Sequence, residues 1–151
     1  MYYDVFKFNQ KRNEFKFDEE LETDMRTEEI NEFFEAKTLA EMLDAYVDTN
    51  YVWFGTKMKA VKSGIVIGKE LINYMDNVFA LMLDIMRNRI EQANFALDMW
   101  ELIEESEKIV CEINNEKISK LDKNGKVMKQ KTLRDATKEI AEMLKEYGIE
   151  E

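Results

Sequence analysis

Apolar residues recur every three or four positions along much of this chain, the spacing at which a helix turns one face toward a core. Leu71, Ile72, Met75, Val78, Phe79, Met82, Ile85 and Met86 keep that spacing without a break and predict a helix beginning near Gly68. Upstream, Thr38-Leu-Ala-Glu41 is a capping-box sequence. It predicts a helix from there to about Ser63, where Ser63-Gly64 ends it. A helix from about Asp24 to Ala36 is expected before it, with Glu28 and Glu29 in a first turn where acids complement the macrodipole.

No Gly or Pro interrupts Lys69 to Asn124, a run too long for one ordinary helix. A turn is therefore expected near Asn88–Asn94, then a further helix from about Ala96 to Asn114. Residues 115–131 surround the turn signal Asn124-Gly125 and read as a loop. A last helix is expected from Thr132, with Asp135 in its first turn, to near Gly148. Residues 1–23 carry Tyr2, Tyr3, Phe6, Phe8, Phe15 and Phe17 at irregular spacing, and are expected to form a short helix or an extended arm over the rest.

The chain lacks proline and has five glycines in 151 residues. A sandwich or barrel needs many turn residues, so this scarcity favours an all-α fold, a bundle of four to five helices in one domain. A net charge of −10 argues against a nucleic-acid backbone or an anionic membrane surface as partner. No stretch of about 18 uncharged apolar residues spans a bilayer. The first residues hold no apolar run of signal-peptide length. Cys111 is the single cysteine, which suits a reducing compartment, and the expectation is a cytoplasmic protein.

Histidine is absent. That removes Ser-His-Asp and Cys-His nucleophilic machinery, the usual zinc sites and the Glu-x-x-His di-iron motif. A metal would be held by oxygen, which points to Mg²⁺ or Mn²⁺, with Ca²⁺ less suited.

Between Asp18 and Asp48 stand twelve acids against two bases, Arg26 and Lys37. At 100° per residue Glu29 and Glu32 lie about 60° apart, beside the apolar stripe rather than opposite it, while Glu28 and Glu35 fall on the polar side. On the next helix Glu41, Asp44 and Asp48 share an arc of similar width with Tyr51 and Gly55. Two helices joined by a tight turn pack antiparallel, so the two acidic rows are expected to meet. Carboxylates gathered in a half-buried groove repel one another and lose hydration, costs that a divalent cation relieves. A solvated acidic face accounts for the same run without any site, and Glu41 has a purely structural role available as the capping-box acid.

The same residues carry a resemblance. Glu28-Glu29-x-x-Glu32-Phe-Phe-Glu-Ala, followed by Asp44-Ala-Tyr-Val-Asp48-x-x-Tyr51-Val-x-x-Gly55-Thr56, resembles the MazG-like all-α nucleotide pyrophosphohydrolases. The nearest branch is the phosphoribosyl-ATP pyrophosphohydrolase-like one of phages and bacteria. A second block, Glu112-Ile-Asn-Asn115-Glu-Lys-Ile-Ser119-Lys120-Leu-Asp-Lys-Asn-Gly125-Lys126, is similar to that family's Glu…Ser-Asn-Met-Ser-Lys…Asp-Gly-Lys stretch. Together the blocks span about 45 of the 151 residues. The chain departs from the family where Ala45 occupies the usual Glu position before Asp48. Either Asp44 or Glu41 would then be the third acid. About 55 residues separate Thr56 from Glu112, which implies an additional helix before the fourth.

The resemblance implies hydrolysis of a nucleoside triphosphate between its α- and β-phosphates, giving a monophosphate and pyrophosphate. It implies two or more Mg²⁺ (or Mn²⁺) ions held by Glu29, Glu32, Asp44 and Asp48, with Glu41 the second choice. Glu28 or Glu29 would take the proton of the attacking water. Asn115, Lys120 and Tyr51 would bind substrate. A homodimer or homotetramer, in the cytoplasm of a bacterium or of a phage-infected host, is the implied setting. The segment Lys117–Lys131 holds six lysines, which suit either phosphate contacts or a solvated loop. The rival reading is a non-catalytic acidic bundle that engages a protein partner through its methionine-rich surface.

Overall fold

The computed structural model describes residues 1–12, 16–117 and 134–151, and every regular element among them is helical. Six helices follow in order: α1 (Tyr2–Arg12), α2 (Glu19–Glu35), α3 (Leu39–Lys62), α4 (Lys69–Asn94), α5 (Met99–Lys117) and α6 (Ala136–Glu146). The all-α expectation holds; the number exceeds the four or five expected. The aromatic arm contributes α1, and the long interval before the second resemblance block contributes α4. No described helix is long and apolar enough to cross a membrane.

Several boundaries differ from the sequence reading for local reasons. α2 starts at Glu19 rather than Asp24, because Asp18 caps it by accepting from the Leu21 amide at 3.2 Å. Glu19, Glu20 and Glu22 are therefore its first-turn acids, and Glu28 and Glu29 lie mid-helix, away from the N-terminal dipole. α4 runs unbroken through Asn88 to Asn94, since its buried stripe of Met75, Val78, Met82, Met86 and Ile90 continues that far. α5 extends to Lys117, past the expected end at Asn114, and α6 is capped by Asp135 rather than Thr132. The rest of the expected loop, and Thr132 where the last helix was expected to start, lie outside the described residues.

Where the capping box and glycine signals were explicit, the boundaries match. Thr38 Oγ1 accepts from the Glu41 amide at 3.2 Å and Glu41 Oε2 accepts from the Thr38 amide at 3.1 Å. α3 closes at Ser63-Gly64, where Gly64 takes φ 67° and Ile65 donates back to Ala60 O at 2.8 Å.

α3 is the central element, packed by α1, α2, α4, α5 and α6, with its most extensive contact to α2. One large core joins Ile30 and Phe33 of α2, Leu39, Leu43 and Val47 of α3, the α4 stripe, Leu102, Ile103 and Val110 of α5, and Ile140 and Leu144 of α6. A smaller cluster seats α1 through Val5 against Tyr51, Met58 and Cys111. Buried hydroxyls on these helices bond back into their own turns, as Thr49 does to Ala45 O at 2.7 Å and Ser106 to Leu102 O at 2.7 Å.

Candidate functional site

Side-chain pairings give the direction of the α2–α3 hairpin. Glu22 meets Thr56 and Lys59, Arg26 lies over Trp53, and Glu32 feels the charge of Asp44. Each step forward along α2 is a step back along α3, so the helices are antiparallel and the acidic rows face each other at the hairpin's closed end.

The closed end is shaped by its turn. Glu41 Oε2 accepts from the Lys37 amide at 2.6 Å as well as from Thr38, so one oxygen serves two backbone donors. Those donors hold the Glu41 carboxyl below its ordinary range. The turn is also clasped from outside. Arg89 of α4 donates Nη2 to Lys37 O at 2.6 Å and Nε to Glu151 Oε1 at 2.7 Å, and Glu151 Oε2 accepts from the Leu39 amide.

Above this turn opens a cavity of about 360 Å³ lined by Glu32, Glu35, Ala36, Lys37, Glu41, Asp44, Ala45 and Thr137. Burial raises the affinity of Glu32 for its proton, and the charges of Glu28, Asp44 and Glu35 raise it further. α6 closes one wall, where Thr137 Oγ1 donates to Asp44 Oδ2 at 2.7 Å.

Of the residues singled out in the sequence, Glu32, Glu41 and Asp44 border this cavity, and Glu28 reaches it electrostatically. Asp44 and Ala45 both line it, so the carboxylate that stands one residue early still faces the same space. Glu41 borders it too, with one carboxylate oxygen committed to the cap. Glu29 and Asp48 are half-buried and are not in the cavity's lining. Tyr51 packs elsewhere: its ring stands edge-on to Phe8 at 5.4 Å and its hydroxyl donates to Asp4 O of α1 at 3.4 Å. Asn115 is near the end of α5, with Oδ1 buried and no hydrogen-bond partner among the described residues. Lys120 lies outside the described residues.

Three residues of the lining escaped the sequence reading. Glu35, placed on the polar side by the helical wheel, is exposed but still borders the cavity and repels charge on Glu32. Lys37 brings the one cation among the described residues of the lining. Thr137 arrives from 93 residues beyond Asp44, and no signal in the sequence marked it.

The carboxylate oxygens of Glu32, Glu35, Glu41 and Asp44 in the lining are donors of the kind a hard divalent cation takes. Among the described residues, however, no three acidic or cysteine side chains stand together as a ready-made metal-holding group. The fold and site thus define an all-α protein with a carboxylate-lined cavity at the closed end of a helical hairpin. Compared with protein-family models, with curated proteins and with solved structures, the chain matches none.

Proposed function

We propose that this protein is a Mg²⁺-dependent nucleoside triphosphate pyrophosphohydrolase. The observation that carries the reading is the convergence of Glu32 and Asp44, from opposite helices, on one polar cavity, where burial and neighbouring charge, that of Asp44 included, raise the proton affinity of Glu32. Such crowding is costly unless cations are drawn in, and perturbed carboxylates in a cleft mark a functional site.

In this reading Glu29, Glu32, Asp44 and Asp48 hold the ions, with Glu41 kept to its capping role. Bound Mg²⁺ would supply charge neutralisation for the phosphates and a more acidic water. The water oxygen bonds to the α-phosphorus as the bond from that phosphorus to the bridging oxygen breaks, and pyrophosphate leaves with that oxygen. Glu28 or Glu29 accepts the water's proton. Asn115 offers its amide to the phosphates, and Lys120 their countercharge. Thr137 holds Asp44 in orientation, and Lys37 places a positive charge at the cavity's edge.

Release of pyrophosphate from a mixed nucleoside triphosphate panel, with Mg²⁺ and with excess EDTA, tests the proposal. Turnover that needs the metal and disappears in Glu32→Gln and Asp44→Asn is expected. A folded protein without pyrophosphate release from any nucleotide would instead favour the binding-protein reading.

A further inference from the structure

At the open end of the same hairpin lies a second cavity, about 190 Å³, lined by Glu22 and Arg26 of α2 together with Phe17, Ile65, Ile67 and Leu71. It is separated from the carboxylate cavity by about 9 Å along α2, six residues at 1.5 Å each from Glu32 back to Arg26.

The charges there are not all matched. Glu22 is 2% exposed and spends both oxygens, Oε1 on Lys59 Nζ at 2.6 Å and Oε2 on Thr56 Oγ1 at 2.5 Å. Arg26, one turn on, is 8% exposed. Its five donors find a single hydrogen bond among the described residues, a long one of 3.4 Å from Nη2 to Thr23 Oγ1. No described carboxylate forms an ion pair with it, and its guanidinium lies 6.0 Å from the Trp53 ring, at the outer range of a cation–π contact. An arginine buried to this degree is ordinarily paired. Here it borders a cavity whose other walls mix apolar side chains with Glu19, Glu22, Thr23 and Thr56.

We propose that this cavity is a binding site for a small organic carboxylate, with the carboxylate on Arg26 and an apolar body against Phe17, Ile65, Ile67 and Leu71. The planar fork of the guanidinium matches two carboxylate oxygens side by side. The volume equals that of about six waters, which admits a compact acid of about ten non-hydrogen atoms and excludes a nucleotide. Glu19 stands in the lining as well, but it is exposed and solvated, and it favours a monoanion over a more highly charged ligand. The site is independent of the hydrolytic reading.

Trp53 supplies the readout. It is buried beside Arg26, while the protein's other tryptophan, Trp100, is half exposed on α5 and serves as an internal control. The indole N–H signals are followed by NMR as sodium benzoate or hexanoate is added, with benzamide and inorganic phosphate as comparisons. Saturable movement of the Trp53 signal by the carboxylates, with benzamide at least tenfold weaker and Trp100 unmoved, is expected. Arg26→Gln should abolish it. Because a buried arginine carries some risk to folding, Val66→Glu provides a second arm: Val66 is 92% exposed yet borders the cavity, and a carboxylate there should occupy Arg26 and weaken benzoate binding at least tenfold. The proposal is overturned if benzoate gives no saturable shift, if benzamide or phosphate binds as well as benzoate, or if folded Val66→Glu binds benzoate like the parent.

Discussion

Thr137 of α6 donates its hydroxyl to Asp44 of α3 at 2.7 Å, and this bond joins the C-terminal helix to the acidic hairpin. It holds one carboxylate oxygen of Asp44 in place within the cavity wall. Partners of this kind around a metal-binding or catalytic carboxylate are commonly worth 10- to 100-fold in affinity or activity. Thr137→Val should therefore lower turnover by about tenfold or more, while Thr137→Ser, which keeps the hydroxyl, should stay near the parent. Equal pyrophosphate release by all three proteins would remove Thr137 from the site.

Glu32 leads to a pH prediction. Burial and the charges of Glu28, Asp44 and Glu35 make the folded protein hold the Glu32 proton more tightly than the unfolded chain does, where the ordinary value is 4.5. Folding then takes up a proton in this window, and stability falls as pH rises through the ordinary value and the raised one above it. Glu32→Gln should flatten that fall and raise the melting temperature at neutral pH. Millimolar Mg²⁺ should raise the melting temperature of the parent more than that of the variant. Thermal melts across the acidic range, with and without the ion, read both effects.

Asn115 separates a structural role from a functional one. Its Oδ1 is buried with no hydrogen-bond partner among the described residues, so replacing that oxygen by an apolar group strands no described donor. Asn115→Leu should leave the urea midpoint unchanged or higher. If Asn115 binds phosphate, the same variant should raise KM severalfold, and an unaltered KM would return it to the fold alone.

The Glu22–Lys59 pair carries the opposite balance. Its side chains are 2% and 7% exposed, so removing one partner strands a buried charge. Lys59→Met should cost about 3–5 kcal/mol in urea unfolding. Replacing both, Glu22→Leu with Lys59→Met, should recover most of that loss, because apolar groups of similar size need no partner. Additive losses in the double variant would contradict this.

Clasping of the hairpin turn is tested at Arg89, which ties α4 to Lys37 O and Glu151. The bridge is partly exposed, so Arg89→Ala should cost only about 1 kcal/mol. Salt should weaken the parent's advantage over the variant, as measured by melts at low and high ionic strength.

Local chemistry wrote much of this fold into the sequence. The Thr38/Glu41 capping box and the Ser63-Gly64 stop set both ends of α3, since each acts within one turn of chain. The three- and four-residue spacing of α4 named Met75, Val78, Met82 and Met86 of its buried stripe, though it included Ile72, which is exposed, and not Ile90; scarce glycine with no proline favoured helices throughout. The tight turn after α2 was enough to bring Glu32 and Asp44 face to face. Tertiary packing decided what such short-range signals do not contain. Tyr51 shares a helical face with Asp44 on a wheel, but α1 folds over it and takes it away from the cavity. Glu35 is exposed, as its helical phase predicts, yet it borders the cavity that Thr137 of α6 also lines. Thr137 reaches Asp44 across 93 residues, and the cavity beside Arg26 exists only where the segment after α3 folds back along α2. Periodicity records which side of a helix is apolar; which helix covers that side is settled by the packing of all six.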